Sequence, residues 1–161
     1  KLFRKYLKPR MKDLHDHIKS LANVQLMLHS DGAVGPLLND FVEMNVDIVN
    51  PVQTSVRGLE DTAALQHAHG DRLKFHGAID VQQLMPNATV EEVRWEAAKR
   101  IHDLGCHGGF ILAPCHNIGP DIPPQNVVAL FDAAQEFGRY PLDLASALAS
   151  NASYFLRHGN A

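Results

Sequence analysis

The feature that most constrains this chain is an alternation. Four times in succession, a short and almost continuously apolar run is followed by a segment whose apolar residues recur at helical spacing. The apolar runs lie near residues 24–30, 46–50, 73–78 and 109–113. Each run with its following segment repeats at roughly the 30 residues expected of a βαβ unit. Strands that read as unbroken apolar runs belong to parallel sheets covered by helices, whereas strands with one wet face alternate. The fold class is therefore α/β, with four parallel strands in sequential order and right-handed crossovers.

The helical segments carry their own start and stop signals. A leading helix, "KPRMKDLHDHIKSLAN", places Leu7, Met11, Leu14, Ile18 and Leu21 at helical spacing, with Pro9 tolerated in the first turn. The next helix offers Val34, Leu38, Phe41 and Val42, and "LEDTAALQHAHG" ends at Gly70 as a C-cap. In "TVEEVRWEAAKRIHDLG", Thr89 and Glu92 spell a capping box, Val93, Ala97, Ile101 and Leu104 form the apolar stripe, and Gly105 terminates it. "PPQNVVALFDAAQEFG" begins with prolines and stops at Gly138. From about residue 142 the tail is expected to add a further helix, within one domain spanning 1–161.

Four βα units make half of an eight-unit barrel, which needs about 250 residues. A doubly wound nucleotide-binding sheet would carry G-x-G-x-x-G after its first strand. "HSDGAVG" holds only Gly32 and Gly35 there, so nucleotide binding is not expected. A net charge of −3 provides no basic footprint for nucleic acid. No apolar stretch approaches the ~20 residues of a membrane span, and no secretion signal is visible. Two cysteines, Cys106 and Cys115, do not build a disulfide framework and point to reduced thiols in the cytoplasm.

In parallel α/β folds, reactive groups gather at the carboxyl ends of the strands. Here the polar residues concentrate at those ends. The first run closes on His29 and Asp31, the second on Asn50 and Gln53, the third on His76 and Asp80, and the fourth on Cys115 and His116. His29 and Asp31 are two apart and share a strand face; Cys115 and His116 are adjacent and point apart, so one of them enters the site. Asp31 before Gly32 and Asp80 before Val81 also suit simple turn chemistry. Four strand ends behaving alike shift the balance toward one shared site.

"LHSDG", "VDIVNPVQ", "GDRLKFHGAIDVQQL", "GGFILAPCHNIGPDIPPQNVVALFDAA" and "FGRYP" follow one another in a distinctive order and spacing. Over about residues 5 to 141 they resemble the carboxyl-terminal half of the uroporphyrinogen decarboxylase superfamily. That superfamily includes the heme-pathway decarboxylase and cobamide-dependent, zinc-containing methyltransferases. The resemblance implies a (βα)8 TIM barrel of which this chain is the last four units. It implies a missing amino-terminal half-barrel or self-association, since open edges and an inner face with Met27, Val49 or Phe75 would otherwise lack covering strands.

The resemblance also implies roles. The methyltransferases hold zinc with a His-x-Cys and a later Cys; this chain reads His29-Ser30-Asp31, and aligning "APCHNI" without a gap puts His116 on the third position, with Cys115 as the alternative. A His/Asp/His set suits zinc but not thiolate-type activation. The methyltransferase branch implies a corrinoid carried on a partner protein. The decarboxylase branch needs no cofactor and acts on a tetrapyrrole, with His116 at a catalytic-cleft position. The catalytic candidates are His116 and Asp80, and the expected substrate contacts at the strand ends are Asn50, Gln53 and His76. "NPVQ" and "HGAIDVQ" incline the expectation toward metal-dependent methyl transfer or demethylation. The third expectation is a non-catalytic half-barrel that binds a tetrapyrrole or a partner protein.

Overall fold

A computed structural model describes residues 1–142. A π-helical turn, Phe3–Leu7, runs into α1 (Lys8–Leu21), which precedes β1 (Met27–His29). A 3-10 turn, Gly35–Leu37, leads into α2 (Leu38–Glu43) and β2 (Ile48–Val52). Then follow α3 (Thr62–His69), β3 (Lys74–Ile79), the short α4 (Leu84–Asn87), α5 (Val90–Gly105), β4 (Phe110–Pro114) and α6 (Pro124–Phe137). The strands form one sheet in the order β1-β2-β3-β4, every neighbouring pair parallel. This is the architecture of part of a TIM barrel. The helix expected from about residue 142 lies outside the described residues.

The register sets Leu28, Val49, Phe75 and Phe110 in one row across the four strands. That row faces the helices. Val49 and Phe75 are each 1% exposed and pack with Leu38, Phe41 and Met44 of the α2 region, Leu65 of α3 and Leu104 of α5. Side chains alternate along a strand, so the neighbouring positions emerge on the opposite, open face. Met27 and Ile111 are 48% and 42% exposed there. The expectation that Val49 and Phe75 belong to the inner face is thus corrected: strand parity turns both toward the helices, and only Met27 of the three lies on the open side. A second cluster joins Ile79, Met85, Val93, Ala97, Ile122 and Leu130, binding α5 and α6 to the far end of the sheet.

Two elements depart from simple amphipathic packing. The α1 stripe buries none of its residues: Leu7, Leu14 and Leu21 are exposed, and Met11 alone of the predicted five packs against the core. Charge docks this helix instead. Lys8 bonds Asp40 at 2.7 Å and also meets Glu43, Arg4 pairs with the same Asp40 at 2.8 Å, and Lys19 reaches Asp47 at 2.7 Å. α5 has the predicted capping box, with Thr89 accepting from the Glu92 N–H and Glu92 accepting from the Thr89 N–H. Its stripe of Val93, Ala97, Ile101 and Leu104 is buried as expected. On a different face, Arg100 donates to Glu96 and to the Thr62 hydroxyl, both at 2.7 Å, and Thr62 donates to Asp103 at 2.6 Å. These four polar side chains are buried and clamp α3 against α5.

β2 carries a register shift between Val49 and Val52. Gly77 of β3 lies close against it. Its φ is +104°, and a Cβ would stand 3.1 Å from the Pro51 Cβ and 3.3 Å from the Val52 nitrogen. Ala78 follows at φ +71°, an unusual conformation for a residue with a Cβ. No described helix is long and apolar enough to cross a membrane.

Candidate active site

The loops after the four strands meet at a small cavity of about 170 Å³, lined by Asp31, Gln53, Asp80, Val81, Gln82, Cys115 and His116. Each strand contributes from its carboxyl end. Asp31 comes from the loop after β1, Gln53 from the end of β2, Asp80 to Gln82 from that of β3, and Cys115 and His116 from that of β4. The Gln53 side-chain oxygen, Oε1, accepts the Gly32 N–H at 3.1 Å and ties the first two loops together.

Asp80 is oriented by its own loop. It accepts from the backbone N–H groups of Gln82 and Gln83 at 3.0 Å and of Leu84 at 3.3 Å, so its carboxylate both starts α4 and lines the cavity. The turn chemistry and the site coexist in one residue. Cys115 and His116 do point apart. Cys115 is buried and donates to the Val52 carbonyl at 3.1 Å, and burial pushes its thiol up to about 11. His116 is exposed and makes no hydrogen bond among the described residues.

Beside this cavity, a hydrogen-bonded row crosses three strands on the open face. His29 Nδ1 lies 2.5 Å from Asn50 Oδ1, and Asn50 Nδ2 lies 2.6 Å from His76 Nδ1. The register explains the row, because His29 pairs with Asn50, and Val49 with Phe75 immediately before His76. His29 Nε2 faces Asp31 Oδ2 at 3.3 Å and so joins the row to the cavity. The Asn50 hydrogen bond raises the His29 pKa, burial opposes it, and the Asp31 carboxylate adds to the rise. Burial pushes His76 down, favouring a neutral ring.

The expected zinc set fares differently. Only His29 and Asp31 stand together as a pair. Among the described residues, no group of three or more His, Cys, Asp or Glu side chains is placed to hold a metal ion. The Cys115 sulfur serves a carbonyl and resists the thiolate form that zinc requires. The residues as placed do not fit the metal. Sequence reasoning missed the role of Asn50 as a bridge; its signal was its matching register with His29, which only pairing of the strands reveals.

Comparison with known proteins places this geometry. A methyltransferase from Methanosarcina mazei shares the fold, with a TM-score of 0.68 at 23% sequence identity over 85% of this chain and 37% of that one. The uroporphyrinogen decarboxylase of Pseudoalteromonas translucida (strain TAC 125) is 32% identical over 68 residues, covering 42% of this chain and 19% of that protein. Both relatives are therefore much longer than the stretch they share with this chain. The family model of uroporphyrinogen decarboxylase (URO-D) matches residues 1–137, which hold all four strands and every cavity-lining residue, and the chain belongs to that family.

Proposed function

We propose that the strand-end mouth is one wall of an enzyme active site that works by acid–base chemistry, in the manner of a carboxy-lyase on a carboxylated tetrapyrrole. The observation that carries this reading is the convergence of Asp31, Asp80 and His116, from three different strand ends, on one cavity. Loss of CO₂ from a carboxylate leaves an electron pair on carbon, and a proton must replace the departing group. An exposed imidazole such as His116 can deliver that proton, and carboxylates can steady the positive charge that develops on a protonated ring. The 32% identity to a uroporphyrinogen decarboxylase over 68 residues, with the family match over residues 1–137, supports a tetrapyrrole as the substrate class. 

A second reading is corrinoid-linked methyl transfer, favoured by one observation: the fold is shared with a methyltransferase from Methanosarcina mazei. The discriminating experiment assays the protein, and its His116→Ala and His29→Ala variants, for decarboxylation of uroporphyrinogen and for bound zinc. The carboxy-lyase reading expects a fall of about 10²-fold or more in decarboxylation for His116→Ala. Stoichiometric zinc that disappears in His29→Ala, with no decarboxylation in the parent protein, would transfer the assignment to methyl transfer.

A further inference from the structure

We propose that Asn50 is a positioning residue that imposes opposite tautomers on the two imidazoles it bridges, His29 carrying its fixed proton on Nδ1 and His76 on Nε2. A carboxamide has one accepting end and one donating end, so it cannot treat two rings alike. Its oxygen, 2.5 Å from His29 Nδ1, requires a hydrogen on that nitrogen. Its NH₂ group, 2.6 Å from His76 Nδ1, requires a lone pair there. In neutral His76 the proton must then sit on Nε2, which has no hydrogen-bond partner among the described residues.

The consequence for the site is a division of labour. Nδ1 of His29 is committed to Asn50, so Nε2, facing Asp31 at 3.3 Å, is the nitrogen that gains or releases a proton. His76, half-buried and one strand further on, becomes a donor: its Nε2–H is available to an oxygen acceptor on a bound molecule. A single amide therefore sets one proton-exchanging nitrogen and one hydrogen-bond donor on adjacent strands. The register holds the geometry, since Asn50 pairs with His29 and stands at the start of the β2 register shift that brings it beside His76.

This inference deepens the acid–base reading and rests on it for its catalytic meaning, but its test reads tautomers and not turnover. Nitrogen-15 correlation spectra of the imidazoles, recorded well above the ordinary histidine titration range, report which ring nitrogen carries hydrogen. The expected result is a protonated Nδ1 in His29 and a protonated Nε2 in His76. In Asn50→Asp the carboxylate accepts from both rings, so His76 should switch to the Nδ1–H form while His29 stays unchanged. In Asn50→Leu both rings should relax toward the mixture of a solvated imidazole. The reverse pair in the parent protein, or an Asn50→Asp variant that leaves His76 unswitched, overturns the proposal. A protein with both expected tautomers but no decarboxylation would overturn the reaction alone.

Discussion

At the scale of single residues, Gln53, Asp80 and Cys115 each line the mouth and also hold a backbone group, and that second contact was hidden from the sequence. Polar residues that interrupt an apolar run could be read directly, which is why Asp31, Gln53, Asp80 and His116 were legible as strand-end groups. Their partners were not, because parallel register is decided by pairing and not by local pattern. Cys115 illustrates a testable contrast. With its thiol pushed up to about 11 and buried, it should resist alkylation at neutral pH, while exposed Cys106 reacts readily. Peptide mass spectrometry after timed iodoacetamide treatment checks the order; equal labelling rates would contradict it. Asp40 gives a pH prediction. The Arg4 hydrogen bond, opposed by burial and helped by Lys8, lowers its pKa from 3.8 to about 2. A depressed carboxylate contributes stability above its unfolded value, and that contribution is lost as pH falls from 3.8 toward 2. Asp40→Asn should be less stable near neutrality and show a flatter acid dependence in that window by urea unfolding.

At the scale of elements, α5 was the most legible helix and also the one with the most concealed. Its capping box and apolar stripe follow from spacing alone. Its buried polar face does not, because Glu96 and Arg100 at i, i+4 read as a solvated pair. The structure instead buries them with Thr62 and Asp103 between helices. Replacing Thr62 with Val should therefore cost about 1–3 kcal/mol, since it leaves Arg100 and Asp103 short of a partner inside the protein. An unchanged urea midpoint would show that the network contributes nothing. α4 escaped the sequence reading for a different reason: four residues with Pro86 among them show no periodicity, and the Asp80 carboxylate, not propensity, starts the turn. At β3, Gly77→Ala should destabilise by about 1–3 kcal/mol through its left-handed backbone and the Pro51 contact, read as a loss in urea midpoint.

At the scale of the whole molecule, strand order and parallel pairing were legible because unbroken apolar runs separated by amphipathic helices admit few other topologies. Which residues face inward was not, since one position of offset exchanges the two faces of a strand. Met27 and Ile111 of the outer strands are exposed on the open face, and Leu7 of the first turn, Leu14 and Leu21 of α1, and Val128 and Phe131 of α6 are exposed elsewhere. Exposed apolar groups beside unpaired strands favour association. The 161-residue polypeptide alone is expected to self-associate in sedimentation experiments, and a dilute monomer would contradict this. α1 precedes β1 and α6 follows β4, the two strands at the edges of the sheet. Closing two copies about a shared axis would bring β4 of one beside β1 of the other, so the seam would join the end of one chain's sheet, just before its α6, to the start of the other's, just after its α1.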